Sequence, residues 1–150
     1  MDLGKVLHRK GYRKVKLKKL KTNHLLIKGE VNGVKGRFIL DTGASNSCVD
    51  SSLQEKFNLI ATESETKAAG AGAIGMDTMI ATKNSVKFGN WTYKNFSIVI
   101  FDLGHVNTAL VEHKEQEVDG IIGADILEHG EALIDYNKCC VYLKRLVYKY

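Results

Sequence analysis

Apolar and polar residues alternate with a period of two over much of this chain, which is the spacing of half-buried β-strands. Val15, Leu17 and Leu20 are interleaved with Lys14, Lys16, Lys18 and Lys19. That pattern predicts a strand with one buried face and a lysine-rich outer face. Two further runs, His24–Val31 and Val34–Leu40, flank Asn32-Gly33. An Asn-Gly pair between β-rich runs is a strong hairpin signal, because both turn residues must accept positive φ. Val15–Leu40 therefore reads as consecutive strands. Met76–Phe88 and Trp91–Phe101 read as two more, joined across Gly89-Asn90 and rich in strong β formers such as Thr92, Tyr93, Ile98 and Val99. Ala132–Tyr136 and Cys140–Tyr148 close the chain as strands. Helical signals are short. Ser51–Phe57 has a serine N-cap and Glu55 in its first turn, and Asp125–Gly130 ends on a glycine stop. Thr62–Gly75 is polar, then small, with no side chain able to anchor a core, and reads as a flexible hairpin or loop. Asp102–Asp119 reads as a long acidic connection.

Composition narrows the class. The chain has 150 residues, 44% hydrophobic and 26% charged, which suits one soluble domain with a proper core. Proline is absent, and no linker, repeat or low-complexity tract divides the chain. The expected organisation is a basic N-terminal arm over 1–14 followed by one mostly-β domain over 15–150. No run approaches the ~18 apolar residues of a membrane helix. The first eight residues lack the apolar core of a signal peptide. The expected location is the cytoplasm, with no membrane partner. The three cysteines are odd in number and show no C-x-x-C, so they read as reduced thiols rather than a disulfide framework or a zinc site. The adjacent Cys139 and Cys140 would face opposite ways in a strand. The five histidines have no metal spacing, and no metal or cofactor is expected.

The net charge of +5 is uneven. Residues 1–24 hold nine Lys/Arg against Asp2 alone, or +8, and the remainder holds 13 basic and 16 acidic side chains, or −3. A basic stretch can bind polyanions by counterion release. The interleaved apolar residues fit a solvated strand better, and only Tyr12 offers a ring for base stacking. Nucleic acid is not the expected partner.

Two motifs carry candidate chemistry. Gly70-x-Gly72-x-x-Gly75 matches the dinucleotide fingerprint, but it follows the polar Glu63–Lys67 instead of a buried strand, and a β-like run follows it. It reads instead as a glycine loop that closes over a ligand. The second motif is Asp41-Thr42-Gly43-Ala44-Ser45, entered from Phe38-Ile39-Leu40 and present once. It sets one carboxylate in a tight turn of small residues at the end of an apolar strand. Paired-carboxylate chemistry needs two such groups, so a second chain must supply the other.

The turn, the glycine-rich loop about 30 residues on and Ile121-Ile122-Gly123 about 80 residues on together resemble the retropepsin-like aspartic proteases. These are single-lobe relatives of pepsin, and the resemblance covers roughly Val15–Leu146. It implies an all-β fold, a closed or half-barrel acid-protease lobe with one or two short helices, acting as a homodimer on an extended peptide. Asp41 would be the acid/base, one from each subunit. Thr42 would bond across the dimer axis, Gly43 would let backbone N–H groups approach the carboxylate, and Ser45, beyond Ala44, would bond its outer oxygen. Ala69, Gly70, Ala71, Gly72, Ala73, Ile74 and Gly75 would form a flap over substrate. Ile121, Ile122 and Gly123 would pack beneath the catalytic loop, and the terminal strand Val141–Tyr148 would pair with the partner. The chain is longer than the compact viral enzymes and has the acidic 102–119 connection, which bears on the cleft and interface. The alternative is a non-catalytic retropepsin-like dimerisation or peptide-binding module, with Asp41 a structural turn residue.

Overall fold

The computed structural model describes residues 2–63 and 78–146. The glycine loop Ala69–Gly75 lies outside the described residues, as do residues 147–150, which include the last two assigned to the terminal strand. In chain order the elements are α1 (Leu3–Arg9), β1 (Tyr12–Lys19), β2 (Leu25–Val31), β3 (Val34–Leu40) and β4 (Cys48–Asp50). There follow a 3-10 turn (Ser51–Leu53), β5 (Ala61–Glu63), β6 (Met79–Phe88), β7 (Trp91–Phe101), α2 (Gly104–Glu112), β8 (Gly120–Ile122), α3 (Ala124–His129), β9 (Leu133–Asp135) and β10 (Cys140–Lys144).

The strands form one sheet in the order β5-β6-β7-β4-β8-β3-β2-β1-β10-β9, and β6 also pairs with β2. That extra pairing, Glu30↔Lys87 and Val31↔Val86, closes β2, β3, β8, β4, β7 and β6 into a six-strand barrel. Closure removes sheet edges within the ring. β1, β10 and β9 extend from β2, and β5 extends from β6. β1 bridges the two parts, with Tyr12–Lys16 on β10 and Leu17–Lys19 on β2. Its alternation places Val15 in the core while Lys14, Lys16 and Lys18 meet water.

The Asn-Gly hairpin forms as its residues require. Asn32 has φ 51° and Gly33 φ 81°, and Val31 pairs with Val34 across the turn. Deeper in this hairpin Gly29 faces Gly36. A Cβ on Gly29 would stand 2.3 Å from the Phe88 ring, and one on Gly36 2.7 Å from the Phe38 ring. The glycine pair thus makes room for Phe38, Phe57 and Phe88, all fully buried, with Phe38 and Phe88 edge to face at 6.3 Å. Such ring pairs dominate core energetics. A second apolar cluster, including Leu26, Ile39, Leu103, Leu110 and Ile121, packs outside the barrel under α2.

Several elements differ from the sequence reading. The helix expected over Ser51–Phe57 is one 3-10 turn, capped one residue earlier by the Asp50 side chain on Ser52 N at 3.1 Å. The connection Asp102–Asp119 contains α2. Residues 1–14 contain α1 and the start of β1, and α1 docks through the buried Leu7 against Cys140 and Tyr142. Cys139 is a turn residue with φ 52°, and only Cys140 enters the strand. Both edges of β10 are taken within the chain, by β1 and β9. Among the described residues, the unpaired edge at this end of the sheet is that of β9.

Candidate active site

β3 carries the candidate turn to its position. It runs parallel to β8, with Phe38↔Gly120, Ile39↔Ile121 and Leu40↔Ile122. The pairing continues one residue further, where Asp41 N donates to Ile122 O at 2.9 Å. The chain then turns sharply. Ala44 N donates to Asp41 O at 3.2 Å, and Gly43 N donates to the Asp41 carboxylate oxygen Oδ1 at 2.8 Å. Ala44 is buried, Asp41 is half-buried, and Thr42, Gly43 and Ser45 are exposed. Among the described residues Asp41 makes no ion pair, and no hydrogen bond joins it to Ser45.

The predicted support residues lie directly against this turn. Ala124 N donates to Ala44 O at 2.7 Å. A Cβ on Gly123 would stand 2.5 Å from the same oxygen, so only glycine allows the approach. Ile121 and Ile122 are buried, in the outer cluster and in the barrel core respectively.

Two further residues brace the turn, and the sequence reading assigned neither to the site. Ser47 is buried, and its N and Oγ both donate to the Asp125 carboxylate, at 2.9 Å and 2.7 Å. Ser47 Oγ in turn accepts from Gly123 N at 2.8 Å. Asp125 was visible only as an acidic residue at a helix start, a position the helix dipole favours. Nothing in the sequence marks Ser47, because its partners lie 76 and 78 residues away.

Cys48 opens β4 behind the turn and is 3% exposed. Burial pushes its thiol up to about 12, with Asp125, Asp50 and Asp41 adding to the rise against a backbone hydrogen bond from Ile121. A thiol that stays protonated is a packing group, not a nucleophile. Beside Thr42 lies a hollow of about 360 Å³ with an apolar floor of Ala124, Leu127, Ala132 and Ile134 and a rim of Glu128 and Glu131. Among the described residues no three His, Cys, Asp or Glu side chains come together to hold a metal, and no helix is long and apolar enough to cross a membrane.

The fold is similar to those of solved retropepsin-like and retroviral protease-like structures. A retropepsin-like aspartic protease from Rickettsia conorii is 22% identical, covers 90% of each chain and superposes with a TM-score of 0.59. The retroviral protease-like domain of Ddi1 from Leishmania major is 18% identical, covers 82% of this chain and 90% of its own, and gives a TM-score of 0.54. No curated protein matches the sequence. The family model described as "Aspartyl protease" matches residues 27–126, a span that holds the Asp41 turn, β8 and the Ser47–Asp125 brace. On that match the chain belongs to the aspartyl protease family, with the retropepsin-like single-lobe fold.

Proposed function

We propose that this protein is an aspartic endopeptidase that works as a homodimer, with one Asp41 from each subunit. The observation that carries the reading is the Asp41 turn. Its backbone is fixed by β8 and α3, while its carboxylate is half-exposed and bound only by Gly43 N among the described residues. Two such carboxylates about 3 Å apart cannot both ionise and share one proton. The ionised member takes a proton from water, and the water oxygen attacks the peptide carbonyl carbon. The protonated member hydrogen-bonds the carbonyl oxygen as charge develops there. The tetrahedral adduct collapses as the carboxyl that took the water's proton passes it to the leaving nitrogen and the C–N bond breaks, which restores the singly protonated pair. The pair titrates as a unit.

The dimer surface we assign is the Thr42 hollow together with the free outer edge of β9. Leu133 on β9 and Tyr136 in the turn after it are 45% and 72% exposed, and an unpaired edge is a template for a second strand. A two-fold axis there would set the two Thr42 residues side by side. Ser45 would complete the carboxylate's hydrogen bonds in the assembled dimer. The flap we assign is Ala69–Gly75, whose flanks Glu63 and Met79 are paired strand residues. The substrate would be an extended peptide between flap and floor.

The test is cleavage of an unbiased peptide mixture from acid to neutral pH by wild type and Asp41→Asn, with and without a statine-type inhibitor. Cleavage by wild type alone, blocked by the inhibitor, is the expected result. A folded, dimeric wild type that cuts nothing, or an Asp41→Asn variant that cuts as well, would replace this reading with the non-catalytic module.

A further inference from the structure

A groove of about 680 Å³ opens on the outer face of the β2–β3 hairpin, away from the candidate active site. Lys28, Lys35, Arg37, Lys56 and Lys87 line it, with Glu30 and Asp119 as its acids. Five positive and two negative side chains leave it at +3. None of these residues borders the hollow at Thr42. Arg37 precedes Asp41 by four residues on β3, about 13 Å along a strand.

The charges are arranged against the fold's own interest. Lys28 stands directly opposite Arg37 in the β2–β3 ladder, and like charges placed opposite one another destabilise a sheet. Glu30 does not relieve them, because it faces Lys35 on one side and Lys87 on the other. Asp119 is committed elsewhere. Its Oδ2 accepts from Arg37 backbone N at 2.8 Å, and its Oδ1 pairs with Lys56 at 3.4 Å. Arg37 is half-buried, and its Nε is the one buried side-chain polar atom without a hydrogen-bond partner among the described residues. A partly buried guanidinium that makes no ion pair among the described residues is costly, and a bound anion offsets that cost.

We propose that this groove binds a phosphate-bearing ligand, with Lys28 and Arg37 as its anchors. A net charge of +3 favours a multiply charged phosphate over a single carboxylate, and the planar guanidinium fork suits paired bonds to phosphate oxygens. The volume lies in the range of small-molecule sites, larger than one inorganic phosphate needs. A free polyphosphate or nucleotide and a lipid headgroup present the same chemistry.

Isothermal titration of the full chain with inorganic triphosphate and with ATP, and co-sedimentation with phosphatidic-acid vesicles, separate those sources. The paired variant Lys28→Gln/Arg37→Gln weakens binding about tenfold or more, as expected for loss of charge-assisted bonds. Lys14→Gln/Lys18→Gln, on the lysine face of β1, removes the same charge and changes binding by less than about twofold if attraction is local rather than long-range. If the first pair misfolds by circular dichroism, Lys28→Gln/Lys87→Gln, which alters two exposed residues, replaces it with the same expectation. Absence of saturable binding to all three probes, or equal weakening by the groove and β1 pairs, overturns the proposal.

Discussion

At the scale of single residues, the Asp41 turn is held by side chains that never touch its carboxylate. Ser47 Oγ donates a hydrogen bond to Asp125 and accepts one from Gly123 N, so it stitches the residues after the turn to the start of α3. Ser47→Ala leaves a buried N–H and a carboxylate oxygen without that partner. The expected loss is about 1–3 kcal/mol, the usual cost of stranding buried polar groups, read as a lowered urea midpoint at unchanged slope. Asp125→Asn is milder than Asp125→Ala, because the amide still accepts one of the two Ser47 bonds. Equal midpoints for Ser47→Ala and wild type would show that the brace adds nothing to stability. The Asp-Thr-Gly turn was readable in the sequence because its chemistry is local: small residues, one carboxylate, an apolar strand before it. The brace was not, because its hydrogen bonds span 76 to 78 residues.

At the scale of elements, the strands were readable and the helices less so. Period two and Asn-Gly marked β1 to β3, and Gly89 with φ 57° turns the β6–β7 hairpin as its position suggested. α2 escaped notice for a physical reason. It starts at Gly104, a poor helix former, has no side-chain cap hydrogen bond and no acid in its first turn. What holds it is tertiary. Leu110 is 1% exposed, and Asn107 closes a two-way clasp on Val118, donating to its O at 3.1 Å and accepting from its N at 2.8 Å. Asn107→Ala therefore frees the segment that leads into β8, with an expected cost of about 1–3 kcal/mol. Hydrogen exchange at Val118 N checks it, and unchanged protection there would refute the clasp. Strand partners were the least readable feature. The terminal run Val141–Tyr148 resembled a dimer strand; its described part, β10, is paired on both sides by β1 and β9, and among the described residues β9 has the unpaired edge. Leu133→Lys at that edge is expected to weaken self-association at least tenfold in sedimentation while leaving the monomer folded, since a buried unpaired lysine is disfavoured in an interface. A dimer constant equal to wild type would move the interface elsewhere.

At the scale of the whole molecule, the way α2 packs on the outside of the closed barrel decides what the thiol and carboxylate behind the turn can do. The β2–β6 pairing that closes the ring rests on two residue pairs, too few for any periodicity to reveal. Cys48 sits on β4 between β8 and β7, and the outer apolar cluster under α2, with Ile121, Phe101 and Leu103, seals it. Its ordinary titration lies near 9.0, and the folded thiol holds its proton to about 12. The sign follows from linkage: between those values the unfolded chain has released a proton that the folded chain keeps, so stability falls as pH rises. The contribution is complete below 9.0 and lost progressively toward 12. Asp50 acts at the other end of the scale. Burial works to raise its carboxyl, but hydrogen bonds from Ser52 Oγ, Leu103 N and Ser52 N outweigh that and hold it below 3.8. Its contribution is present above the ordinary carboxylate range and lost as pH falls through the lowered value. Cys48→Ala should therefore flatten the alkaline decline of the urea midpoint relative to wild type, after the fixed cost of the smaller side chain is subtracted, and leave the acid limb unchanged. The same sealing governs reactivity. A thiol reagent under native conditions should modify Cys139, which is half-buried in a turn, and spare Cys48 and Cys140, which are 3% and 0% exposed. Modification of Cys48 at the rate of Cys139 would mean that β4 opens to solvent without global unfolding, and the alkaline slopes of wild type and Cys48→Ala would then coincide.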